Sequence, residues 1–209
     1  MSAFPIEPAV ILPFLVAVTL IELTPGPNMG YLAALSAAEG RASGFKAVLG
    51  ITAGLAFYML LSVGGVAELI AAAPLLYGAL RWAGVIYLFY LGWEAWQGAR
   101  ETSPGHAGGA SQAPFWRGLI ANILNPKAAV FYVTLLPGFI AADHAAFWVQ
   151  ALILGSAHLL ISFVVHSAIV IGAAHAGTLI AASAHAGSVR RAMALGIVAI
   201  AAWLAIETH

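Results

Sequence analysis

From Pro8 to Ala38 the chain carries a single charged side chain, Glu22. A run this apolar is longer than the ~20 residues an α-helix needs to cross the ~30 Å hydrocarbon core of a bilayer. Five more apolar segments follow, at roughly 44–67, 76–97, 115–138, 147–173 and 189–206. Short loops make up the remainder. Of 209 residues only 8% are charged and 62% are hydrophobic, whereas soluble domains carry about 25% charged residues. Such a chain cannot cover its cores with a charged shell, which excludes an ordinary soluble enzyme. The expectation is an all-α integral membrane protein of six transmembrane helices, one domain over 1–209, with the lipid bilayer as its solvent.

Charge and composition narrow the partners. The formal net charge is zero, so no basic field exists to hold nucleic acid. The absence of cysteine excludes disulfides, thiol catalysis and thiolate-bound metal. No His-Glu metal motif, carboxylate cluster, Walker sequence or dinucleotide-binding glycine pattern occurs, so neither a metal nor a cofactor is expected. No Lys or Arg precedes Arg41. The first apolar run therefore lacks the positive flank of a signal peptide and reads as a retained span.

The basic residues Arg41, Lys46, Arg100, Arg117, Arg190 and Arg191 fall in the loops or loop edges of one face, and Glu7, Glu68, Asp143 and Glu207 lie opposite with only Arg81. The positive-inside rule then puts the basic loops in the cytoplasm and both termini outside. Tryptophan, which favours membrane boundaries, fits the same frame: Trp82, Trp148 and Trp203 at outer ends, Trp93, Trp96 and Trp116 at inner ends. Glu94, beside Trp93 and Trp96, reads as a solvated interfacial residue.

Two segments contain helix breakers. Thr24-Pro25-Gly26-Pro27-Asn28 interrupts the first, and Asn125-Pro126-Lys127 the fourth. Proline cannot donate a backbone hydrogen bond, so the carbonyls of Ile21, Leu23 and Asn122 are expected to be free. Thr24 is placed to cap a half-helix opening at Pro25, and Asn125 one opening at Pro126. Unsatisfied backbone survives in a membrane only inside protein or beside a wet cavity. Two breaks, each opening a group of three segments, thus point to one shared site. A flexible linker at 101–114 separates halves of about 1–100 and 115–209. An odd number of spans per half gives the halves opposite orientation, the inverted-repeat plan of many secondary transporters.

The free N–H groups of a half-helix suit a carboxylate, and orphan carbonyls suit an ammonium, so a small zwitterionic substrate matches both. Lys127, a cation in the first turn of a helix, needs a partner. Substrate carboxylate and Glu22 are the candidates, and Glu22 is also placed to hold a proton for exchange. A purely structural Glu22–Lys127 pair accounts for the same residues. His158, Ser162 and His166 recur every four residues on segment five and form one stripe, either a proton path with Glu22 or hydrogen-bonded glue between helices. His175 and His185 read as loop residues. Gly50 and Gly54 suit close helix packing, within the bundle or between copies of a homo-oligomer.

At these residues the sequence resembles the LysE/RhtB family of bacterial amino-acid exporters. The matching features are Thr24-Pro25-Gly26-Pro27-Asn28, Gly40-Arg41, the glycine-rich Gly50–Gly54, Tyr87-Leu88-Phe89-Tyr90-Leu91-Gly92 and Asn125-Pro126-Lys127. The resemblance implies efflux of amino acids or their derivatives across the bacterial inner membrane, driven by proton exchange. Its site residues would be Thr24, Pro25, Gly26, Pro27, Asn28, Asn125, Pro126 and Lys127, whereas the role of Glu22 rests on the residues alone. Gly138 departs from the glutamine that family members often carry there. The residues leave two other classes to exclude by experiment, a passive small-solute channel and an intramembrane enzyme using Glu22, His158 and His166.

Overall fold

The computed structural model describes residues 4–65, 74–98, 113–181 and 186–206. Among them every regular element is a helix, and there is no strand. The helices are α1 (Pro8–Leu23), α2 (Pro27–Glu39), α3 (Arg41–Val63), α4 (Pro74–Gly98), α5 (Ala113–Ile123), α6 (Pro126–Val130), α7 (Phe147–Ala181) and α8 (Ala186–Ile206). After α6 the chain continues as a π-helical turn at Phe131–Leu135 and a 3-10 turn at Leu136–Phe139. Most of the expected linker, together with Glu68, Arg100, His185 and Glu207, lies outside the described residues. Its last two residues, Ala113 and Pro114, begin α5.

Helix α3 and residues Phe147–Leu179 of α7 are long and apolar enough to cross a membrane, with mean hydropathies of 1.7 and 2.0. Two further apolar runs are bent pairs: α1 and α2 meet at 54°, and α5 meets Pro126–Phe139 at 53°. Both bends fall at the proline motifs. Helix α8 contributes a shorter apolar stretch, Arg191–Trp203. His175 lies inside α7 rather than in a loop, because nothing in the sequence between Phe147 and Ala181 breaks the helix.

Burial runs opposite to that of a soluble protein. On α7, His158 and His166 are 1% and 4% exposed, while Leu160 and Val164 on the same helix are 65% and 59% exposed. Helices that turn ionisable groups inward and leucines outward are built for a hydrocarbon surround.

Small residues set the helix contacts. A Cβ on Gly50 would lie 2.0 Å from the Phe115 carbonyl oxygen, and one on Gly118 would lie 2.3 Å from that of Ala47. The α3 and α5 backbones thus touch where only glycine fits. Gly54 faces Asn122 in the same contact, so the Gly50/Gly54 pair packs within the chain. Gly177 of α7 meets the Ala37 backbone of α2 in the same way. Each bent pair therefore packs on the long helix that follows the other: α5 on α3, and α2 on α7. Helices α4 and α8 pack together at the side. The turn between α2 and α3 is the single residue Gly40, whose φ of 85° favours glycine.

Candidate functional site

The first break follows from the double proline. A residue before proline is pushed out of the helical region, and both Thr24 (φ −68°, ψ 121°) and Gly26 (φ −161°, ψ 178°) are extended. Helix α2 therefore opens at Pro27, not Pro25. Thr24 does not cap it: its hydroxyl donates back to the Leu20 carbonyl at 2.7 Å. Its N–H donates to Leu20 and Ile21 at 3.0 and 3.1 Å, so the Ile21 carbonyl is also engaged.

The second break is closer to expectation. Asn125 is extended and its Oδ1 accepts from the Lys127 N–H at 3.0 Å, capping α6 with Pro126 in the first turn. The Asn122 carbonyl, however, accepts from the Asn125 N–H at 3.0 Å. The carbonyl that reaches across is Thr24's, which accepts from Lys127 Nζ at 3.0 Å. Lys127 thereby ties one break to the other.

Glu22 pairs with histidine rather than with Lys127. It is buried, with Oε1 3.0 Å from His158 Nε2 and Oε2 3.9 Å from His166 Nε2. His158 Nδ1 lies 3.1 Å from the Tyr132 hydroxyl, and His166 Nδ1 lies 3.0 Å from Ser162 Oγ. The polar stripe of α7 thus meets the end of α1 one turn before its break. With Glu22 ionised, His158 Nε2–H donates to it and the Tyr132 hydroxyl donates to Nδ1, so all three groups are satisfied.

The π-helical turn positions Tyr132. Ser62 Oγ donates to the Tyr132 carbonyl at 3.3 Å, and Tyr58 stacks on the Tyr132 ring at 6.4 Å while donating its hydroxyl to the Ile123 carbonyl at 2.5 Å. Tyr58 so satisfies a carbonyl at the end of α5, where the helix stops. On the other wall, Asn28 Nδ2 donates to Asn122 Oδ1 at 2.8 Å. The second polar atom of each amide, Asn28 Oδ1 and Asn122 Nδ2, is buried without a partner among the described residues.

These groups line two adjoining clefts. Glu22, Gly26, Asn28, Asn125 and Lys127 border the inner one, with Asn122, Phe131, His158, Ser162 and His166. Thr24, Pro25, Pro27 and Pro126 border the second, which shares Gly26, Asn125 and Lys127 with the first and is flanked by Trp203. Trp203 thus stands beside the first break. All nine expected binding residues and both histidines converge here. Sequence reasoning missed Tyr132, Tyr58 and the side chain of Asn122. The first two carry no signal among so many aromatics, but Asn122, a polar residue one turn before Asn125, was visible. It also missed a partner for Glu94, whose carboxylate forms an ion pair with the Arg117 guanidinium.

The LysE type translocator family matches residues 19–208. The chain belongs to this family. It is 36% identical over 152 residues to an uncharacterized membrane protein of Pseudomonas aeruginosa, covering 68% of this chain and 70% of that protein. It is 34% identical over 164 residues to a leucine efflux protein of Enterobacter sp. (strain 638), covering 77% and 78%. A leucine efflux protein of Salmonella typhimurium is 36% identical over 154 residues, covering 72% of each. No solved structure matches. The family inferred from the Thr24–Asn28 motif is the one found, and the two joined breaks lie within the matched region of this integral membrane translocator.

Proposed function

We propose that this LysE-family protein exports amino acids with apolar side chains, or their derivatives, across the bacterial inner membrane in exchange for protons. The observation that carries the reading is the buried Glu22–His158 pair set beside two proline breaks that Lys127 joins. The naming of relatives for leucine efflux supports an apolar substrate.

In this reading the substrate carboxylate goes to the Lys127 ammonium and the capped start of α6, where the helix dipole also favours an anion. The substrate ammonium goes to Glu22, flanked by Asn28 Oδ1, which has no partner among the described residues. A carboxylate that holds either an ammonium or a proton, but not both, is an exchanger. A proton arriving from outside neutralises Glu22 and frees the amine, and its loss to the cytoplasm restores the binding form. His158 and Tyr132 give that proton a hydrogen-bonded route. Each inward proton supplies about 2.3 kcal/mol per 100 mV, which a neutral zwitterion leaving alone cannot draw on.

The packing supports six crossings in two inverted halves of about 1–100 and 115–209. Each broken helix leans on the long helix of the other half, as exchange of equivalent elements requires. Alternating access then consists of one half rocking on the other about the joined breaks. Arg41, Lys46, Arg117 and Arg191 mark the cytoplasmic end, leaving both termini outside.

Purified protein in sealed liposomes tests this. The expected result is saturable leucine flux with counterflow, accumulation driven by an imposed proton gradient, and leucine recovered unchanged. Flux that does not saturate and shows no counterflow would make the protein a channel, and a chemically altered product would make it an enzyme.

A further inference from the structure

A third cleft opens at the Arg117 end of the bundle, between α2, α4, α5 and α8, enclosing about 1010 Å³ including its mouth. Its walls hold Arg117 and Glu94, ion-paired with side chains 27% and 36% exposed, over an apolar floor that includes Leu91 and Ile197. Glu39, at the end of α2, adds a negative charge at the mouth. Tyr31 also borders the cleft. It is only 4% exposed, and its hydroxyl is buried with no hydrogen-bond partner among the described residues. A buried hydroxyl left unpaired is unfavourable, so a ligand group that accepts from it is favoured there.

We infer that this cleft is a loading site, where a zwitterionic amino acid with an apolar side chain binds before it reaches the proline breaks. The inference rests on the export reading above. An anion drawn to Arg117 would strand Glu94, and a cation drawn to Glu94 would strand Arg117. A ligand bearing both charges replaces each partner with one of the same sign and leaves neither group alone. Its side chain then covers the Leu91–Ile197 floor, and the Tyr31 hydroxyl meets its carboxylate. Tyr31 stands one turn along α2 from Asn28, so the same helix face leads from this cleft to the inner one. Asn28, hydrogen-bonded to Asn122, borders the inner cleft at the far end of that path.

Transport kinetics in liposomes, with labelled leucine supplied to one face at a time, test the inference. Tyr31→Phe removes a hydroxyl that has no hydrogen-bond partner among the described residues, so its thermal stability is expected to be unchanged or raised, and not lowered. Its KM is expected to rise about threefold, and that of Arg117→Gln about tenfold, the loss of a charged hydrogen bond. Both effects are expected only for substrate supplied at the Arg117 face, with kcat preserved. Equilibrium binding to transport-dead Lys127→Ala should retain one leucine site per chain and lose it on adding Arg117→Gln. Equal KM changes from both faces, unchanged KM in both variants, or no binding to Lys127→Ala would overturn the loading site while leaving export intact. Failure of the wild-type protein to move any amino acid would overturn both readings.

Discussion

Glu22 on α1 and His158 on α7, 136 residues apart in sequence, meet inside the bundle with Oε1 and Nε2 3.0 Å apart. This contact is where the first half of the chain presents its acid to the second half's base. If Glu22 alternates between a proton and a substrate ammonium, Glu22→Gln is expected to abolish accumulation against a gradient while leaving some downhill exchange. Leucine accumulation under an imposed proton gradient measures it, and uphill transport at the wild-type level would remove Glu22 from the coupling.

His158 has a second, structural consequence. Replacing it with leucine leaves Glu22 with His166 at 3.9 Å as its nearest base, and stranding a buried charge costs about 3–5 kcal/mol. His158→Gln keeps a donor near the carboxylate and is expected to recover most of that loss without recovering proton coupling. Thermal unfolding in detergent, read beside transport, separates the two roles. Equal stability of the leucine and glutamine variants would count against the pairing.

Lys127 donates across the breaks to the Thr24 carbonyl. The variants Pro25→Ala, Pro126→Ala and Lys127→Ala are expected to reach the membrane in normal amount and to lose efflux. Asn125→Ala, which loses the cap on α6, is expected to cost about 1 kcal/mol of stability. Release of preloaded labelled amino acid from cells provides the readout. Normal release by all three would remove the breaks from the transport path.

How much of this was legible beforehand depended on the kind of signal. Prolines constrain the backbone locally, so both bends fell where the sequence put them, and charge in an apolar span is scarce enough that Glu22, Lys127, His158 and His166 were conspicuous. Pairing between distant helices leaves no such mark. The sequence leaves Glu22 open as a partner of Lys127 or as a member of a proton path with His158 and His166, and the fold gives it histidine and gives Lys127 a backbone carbonyl. Helix α2 starts two residues beyond Pro25 because Pro27 forces Gly26 out of the helix as well. Tyr132 could not be singled out, since the π-helical turn that aims it has no sequence signature.

Glycine substitutions test the helix contacts. Gly50→Ala places a methyl 2.0 Å from the Phe115 carbonyl oxygen, which must force α3 and α5 apart at about 1–3 kcal/mol. Gly196 of α8 and Gly172 of α7 face open space. Alanine there is expected to be neutral in thermal unfolding or to stabilise by up to about 1 kcal/mol through helix propensity. Equal losses at all three positions would mean that the helices are not packed as described.

The loop before α7 provides a pH prediction. His144 joins two carboxylates, Glu7 at the start of α1 (3.2 Å) and Asp143 beside it (3.1 Å). The hydrogen bond from His144 holds the Asp143 carboxyl below the usual carboxylate range. A group whose folded value is lowered stabilises the fold above its unfolded value, near 3.9, and loses that contribution as pH falls through the folded value. The stability gap between the wild-type protein and His144→Asn is therefore expected to be full at about pH 5 and to narrow below about pH 4. Thermal unfolding across that range is the measurement. A gap that stays constant down to about pH 2 would show that the Asp143 carboxylate does not hold His144 in place.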